Sequence, residues 1–287
     1  MKHYFEEYCS AQNSILNNKQ KIIKNHITHY EVLEDMLGFQ YFLNRKFTEY
    51  YNSIQDKTTL QKFLAPLSVH LLFSYNFQSL QTAFMTLECD FIHQAATTLR
   101  TVYESIPKMY YISLFPEEIG KITIYEYIHN LKYEQALVEL KEKEYQSFLN
   151  NQELIFETNG EFQNFKRDYS PSGFRKKLYT KERQKLLQKL YSKFSSSTHP
   201  NIRRNETSVD YDSKNTELFF EFLKSLSYFN IEAYLEGNYQ LLHEIKLEHE
   251  TIDFLNNISS KFKTIYDDVY FFPDKSDLGR KLKTSSK

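Results

Sequence analysis

Arg100, Glu104 and His199 are the residues of this 287-residue chain whose types and spacing fit a reaction centre. In "LRTVYESIPKMYY" (99–111) a guanidinium and a carboxylate fall one helical turn apart. In "SSSTHPN" His199 stands directly before Pro200, and a residue before proline is pushed out of the α region, so the imidazole projects from a helix end or a turn. An imidazole moves protons near neutral pH, a guanidinium stabilises charge developing on phosphate, and a carboxylate orients either one. Ser197 beside His199 is suited to setting its tautomer. Each group also has a plain structural use. Arg100 and Glu104 make an i, i+4 pair worth about 0.3 kcal/mol, in the less favourable order, and a histidine in a C-terminal turn suits the helix dipole.

The element that must position the first pair is a helix expected over Asp90–Leu114. At 100° per residue, Ile92, Ala95, Ala96, Val102, Tyr103, Ile106 and Tyr110 gather within about 60° of Leu99 as a core stripe. His93, Thr97, Arg100, Glu104 and Tyr111 share a polar arc beside it; His93 and Tyr111 from the arc, and Tyr103 from the stripe, are candidate accessory residues. That arc faces either solvent or a groove in a bundle; the long uncharged stretch before it favours the groove. Pro107 cannot donate to the carbonyl of Tyr103, and a kink is expected there.

Around this helix, apolar residues recur at three and four, hairpin signals are missing, and the chain reads as all-α, a bundle of about eight helices. Further helices are expected near His3–Lys24, His29–Tyr51, Thr58–Thr86, Lys121–Leu149, Lys181–Thr198, Thr216–Glu244 and Leu247–Val269. Glu157–Leu178 and Pro200–Lys214 read as irregular, the former opening a basic insertion. One domain over 1–272, with a sub-boundary near 150–180, and a flexible basic tail over 273–287 are expected.

The charge is unevenly placed. Gln163–Arg204 holds 12 basic and 2 acidic residues, a net of +10 in a chain whose total is −1, which leaves −11 elsewhere. Arg175, Lys176, Lys177, Arg183, Arg203 and Arg204, interleaved with Phe165, Tyr169, Phe174, Tyr179 and Tyr191, offer cations for phosphates and rings for bases, the needs of single-stranded RNA binding. The same run also suits docking on the acidic remainder of the chain.

Several classes are set aside. Six glycines, none in a phosphate-cradling motif, argue against P-loops and dinucleotide folds, and no cofactor is expected. Cys9 and Cys89 have no partner pair for a disulfide framework or zinc knuckle. No H-E-x-x-H occurs, Glu126–His129 is a single Glu-x-x-His, no G-x-S-x-G exists, and no metal site is expected. Phe63–Leu87 lacks charge, but nine polar residues interrupt it, so a buried helix is expected rather than a membrane span, in a cytoplasmic protein.

The Leu-Arg-x-x-x-Glu helix with a distal serine-rich helix end and His-Pro, roughly Leu71–Ile202, resembles a pattern of uncharacterised bacterial helical proteins in which the Arg, Glu and His form a joint polar core. The chain also resembles, more distantly, the HEPN class of helical ribonucleases of toxin, phage-defence and RNA-processing systems. That resemblance implies RNA cleavage at a dimer interface by an Arg-x(4–6)-His motif. This chain departs from it: no arginine has a histidine five to seven positions later, so Arg100 and His199 would substitute from separate helices. The sequence thus leads to an RNA-directed protein, a nuclease or phage-defence effector. The alternative is a non-catalytic helical module that binds another protein or a second copy of itself. A small-molecule pocket lined by Tyr103, Tyr110 and Tyr111 is a third option.

Overall fold

A computed structural model describes residues 2–54, 64–89, 91–123, 125–126, 159–182 and 213–247, with positions 184–185, 188, 192, 249–251, 253–254 and 257. Among them there is no strand. The helices are α1 (Lys2–Asn25), α2 (Ile27–Ser53), α3 (Leu64–Glu88), α4 (Ile92–Leu114), a 3₁₀ turn (Pro116–Glu118), α5 (Asn159–Asp168), α6 (Pro171–Leu178) and α7 (Ser213–Glu244). The all-α bundle expected from the periodicity is what forms. One expectation is corrected: the basic segment near 157–178 is not irregular over 159–178 but forms two helices. Ser170 caps the second of them, its side chain accepting from the Gly173 N–H, and Pro171 sits at the first helical turn, where a missing N–H costs nothing. The serine, proline and glycine that read as loop are the punctuation between helices. The later helix expected over Leu247–Val269 and the tail over 273–287 lie largely or wholly outside the described residues.

Why α3, α4 and α7 form the centre follows from their patterns. On α3 the buried Val69, Phe73, Asn76, Leu80, Ala83 and Leu87 step by three and four, a single seam along the helix. On α4 the expected stripe is buried, with Ile92 partly so, and the helix continues through Pro107. α7 is buried on nearly every side, through Phe220, Leu223, Leu226, Ile231, Ala233, Tyr234 and Leu235, so its neighbours must surround it. Gly237 permits the closest approach: a Cβ there would lie 2.5 Å from the Ser113 Oγ and 3.0 Å from a Val69 methyl, so α7 crosses both α3 and α4 at this point. α1 and α2 are separated only by His26, and Lys19 of α1 pairs with Glu88 at the end of α3 at 2.8 Å. No described helix is long and apolar enough to cross a membrane.

Several polar side chains inside this core pair across helices. Asn230 of α7 donates to the Gln40 side chain of α2 at 2.8 Å, and Asn76 of α3 donates to Asn230 at 2.9 Å and to the Met109 sulfur of α4 at 3.2 Å. Nearby, His70 bridges Thr48 at 3.1 Å and Tyr234 at 3.0 Å, and Tyr51 donates to Asn238 at 3.1 Å. The carboxyl of Glu232 is fully enclosed and accepts from the Tyr110 hydroxyl at 3.4 Å; burial raises it well above its ordinary value.

Two outcomes follow. Asn230→Ala leaves the Gln40 and Asn76 amides without their partner in a dry interior and lowers unfolding free energy by roughly 3 kcal/mol in urea denaturation. Burial pushes the His70 imidazole from 6.5 down to about 4. The unfolded chain therefore takes up this proton near 6.5 and the folded chain only near 4, so protons favour unfolding. Stability is complete above about 6.5 and falls as pH drops toward 4, by on the order of 3 kcal/mol from this group. Denaturation at pH 7 and 4.5 should give a pH slope that His70→Asn reduces, the remainder including His29, which burial also depresses.

Candidate functional site

The polar arc of α4 carries a pair of opposite charges. The Arg100 Nε donates to the Glu104 Oε1 at 3.1 Å, and both side chains are about one-third exposed (30% and 32%). They are neither free in water nor sealed. Thr97 turns its hydroxyl back to the His93 carbonyl at 3.0 Å, and His93 is exposed.

One turn beyond Glu104, Lys108 meets the carboxylate of Glu126 and is mostly buried. Burial holds its ammonium down, to about 8, although a carboxylate faces it. A mostly buried lysine, paired with a carboxylate, on the face that carries Arg100 and Glu104 is a polar group that helical periodicity alone does not single out. Its signal was present, an isolated lysine in an apolar helix four residues after a glutamate.

Tyr111, placed by its angle on the polar arc, is buried, and the reason is α6. Phe174 of α6 packs on the Tyr111 ring, 5.0 Å between centroids. The Lys177 ammonium lies over the rings of Tyr111 and Tyr169, at 4.9 and 4.4 Å, and donates to the Tyr111 hydroxyl at 3.2 Å. Tyr111 donates to Glu118 at 3.3 Å, Tyr169 donates to the same carboxylate, and Lys121 donates to it at 2.8 Å. Burial works against the charge of Glu118, but these donors outweigh it and hold its carboxyl below the ordinary range. Burial first, and Glu118 second, push the Tyr111 hydroxyl up to about 12. Tyr103, likewise a candidate accessory residue, belongs to the core, with the Arg175 guanidinium 5.5 Å above its ring.

The structure therefore seats Arg175 and Lys177 of α6 on rings of α4, the helix that carries Arg100 and Glu104, and leaves Lys176 exposed on α6. Arg175 and Lys177 spend part of their charge on rings of their own chain. His199, Ser197, Arg183, Arg203 and Arg204 lie outside the described residues.

A second cluster escaped the sequence reading. His26, at the α1–α2 junction, and His29, one turn on, both point at Glu217 at the start of α7, with His26 Nδ1 2.7 Å from Oε2 and His29 Nε2 2.6 Å from Oε1. The His29 Nδ1 lies 3.3 Å from Glu221, which Lys224 holds at 2.5 Å. Burial and the Lys224 charge lower the His29 imidazole. At Glu217 the two imidazoles overcome the cost of burial and keep its carboxyl low. The His-x-x-His spacing is visible in the chain, but its acidic partner lies almost two hundred residues away.

Fold and site together define an all-helical protein in which a cationic helix sits against the helix bearing an Arg–Glu pair. A family described as of unknown function (DUF5677) matches residues 67–217, more than half of the 287, and the chain belongs to that family. The match contains α4, α5 and α6 and all of α3 but its first three residues. No curated protein and no solved structure matches the chain.

The α5–α6 corner that seats the cationic helix is tight. A Cβ on Gly173 would lie 2.3 and 2.4 Å from the carbonyl oxygens of Arg167 and Asp168, backbone atoms that cannot swing aside. Gly173→Ala should cost roughly 1–3 kcal/mol and loosen α6 from α4, seen as a lower Tm and faster tryptic cleavage at 175–177. Gly120→Ala, with nothing within 4 Å of the added methyl, is the control and should be near neutral.

Proposed function

We propose that this protein acts on single-stranded RNA, with the strand lying along the α4–α6 face. The observation that carries the reading is the placement of charge: a segment of net +10, in a chain of −1, begins on helices seated beside Arg100 and Glu104. In this reading Lys176, Arg183, Arg203 and Arg204 meet phosphates, and Arg175 and Lys177 steady the helix that presents them. Arg100, oriented by Glu104, stabilises charge at the reacting phosphate, and His199 takes the proton of the 2′-hydroxyl. All of these residues fall inside the stretch matched by the family, which supports treating them as a unit.

The second reading, a helical module for another protein or a second copy, is favoured by a different face. Leu64, Leu71, Tyr75 and Met85 are all exposed and project from one side of α3.

Fluorescence anisotropy with a labelled single-stranded RNA separates the two. The expected result is binding at low salt that weakens steeply as salt rises, and a loss of about tenfold or more in affinity in Lys176→Glu/Arg183→Glu. His199→Ala should keep binding and lose strand cleavage by roughly 100-fold or more. Binding without cleavage in the wild-type chain removes the catalytic step, and absence of salt-sensitive binding overturns the RNA reading and leaves the interaction module.

A further inference from the structure

The His26–His29–Glu217 cluster has the constitution of a metal centre. Its three ligand atoms, two imidazole nitrogens and a carboxylate oxygen, come within 4.8 Å of one another. A tetrahedral zinc site asks for such atoms at about 2.0–2.2 Å from the ion, hence roughly 3.3 Å apart. The nitrogens now stand 2.7 and 2.6 Å from the two oxygens of the carboxylate, so these two contacts must lengthen by less than about 1 Å to reach the spacing of zinc ligands. Glu217 can make that shift, because its side chain is half exposed (49%) while the two histidines are held in place by Phe220, which stacks on His29 with 5.8 Å between centroids and lies 5.1 Å from His26.

Hydrogen-bond accounting at His29 points the same way. Its Nε2 faces Glu217 and its Nδ1 faces Glu221, two carboxylates for one ring. A neutral imidazole has a single N–H and would turn a lone pair toward one of them; a doubly protonated one would be a buried cation close to Lys224. With a metal ion on Nε2, the remaining N–H is on Nδ1, which lies 3.3 Å from the Glu221 carboxylate. This carboxylate behind a ligating histidine is the arrangement that fixes ring orientation in metal sites, and Lys224 anchors the carboxylate in turn. The His26 Nε2 is buried with no partner among the described residues, so Nδ1 is the nitrogen through which this ring acts.

We infer that His26, His29 and Glu217 bind one divalent transition-metal ion of the zinc type, with Glu221 as the outer support of His29. Two nitrogens and one carboxylate oxygen leave the fourth position to water on the exposed side of Glu217, the ligand count of an open rather than a closed structural site. The ion would join the α1–α2 junction to the start of α7, tying helices that precede the family match to its last residue. This inference stands apart from the RNA reading, since no residue is shared between the two.

The test uses the full chain, stripped with chelator, and Zn²⁺ or Co²⁺ alone as probe. Competition with a chromophoric chelator should show one tight equivalent of Zn²⁺, a raised Tm on loading, and four-coordinate visible absorption bands with Co²⁺. Glu217→Gln, a half-exposed change that keeps hydrogen bonding, should lose that equivalent and the Tm rise while its circular dichroism is unchanged. Glu221→Gln should weaken binding by about 10–100-fold, and His249→Ala, an exposed histidine elsewhere, should change nothing. No saturable binding, or binding indifferent to both Glu217→Gln and His29→Ala, overturns the assignment.

Discussion

Everything in this bundle depends on a row of buried amides that fixes how four helices face one another. Gln40, Asn230 and Asn76, ending on the Met109 sulfur, run from α2 through α7 and α3 to α4. Apolar packing alone tolerates sliding by a turn, because leucine and phenylalanine seams look alike after seven residues. An amide displaced by one turn is a buried donor without an acceptor, and that penalty makes a single register strongly preferred. Once α7 is so placed, Glu232 comes under Tyr110, Tyr234 under His70, and Glu217 between the two histidines of the α1–α2 junction.

The same register creates both polar centres. α4, fixed against α3 and α7 on one side, has only its other side left for α6, and that is the side carrying Tyr103 and Tyr111. α6 is a short helix with three consecutive cations, and it stays in place by combining the Phe174 ring with cations over tyrosine faces. The cations of α6 are thus held against the helix that bears Arg100 and Glu104. The arrangement costs little because ring faces accept a cation while the outer side of the ammonium stays hydrated.

The legible part of this structure was the part written in local periodicity. The stripe on α4, the seam on α3 and the long span of α7 follow from spacings of three and four, and the ends of α1, α2 and α4 fall within a few residues of those expected. What was lost has two causes. Ser170, Pro171 and Gly173 carry a loop vocabulary that also serves as helix punctuation, so two short helices were read as an irregular segment. Long-range pairing is invisible to periodicity: His26 and His29 meet a carboxylate 191 and 188 residues away. Tyr111 shows a subtler failure. Its angle on α4 was right, but an angle does not reveal that another helix covers that side.

The enclosure of α7 also has a history in time. A ribosome delivers α2, α3 and α4 first, and at about 5–20 residues per second it takes on the order of ten seconds after α4 before α7 follows. Through that interval the seam of α3 and the stripe of α4 have each other but not the helix that completes them. A nascent chain with its keystone still unmade leaves phenylalanine and leucine of α3 and α4 uncovered until α7 arrives.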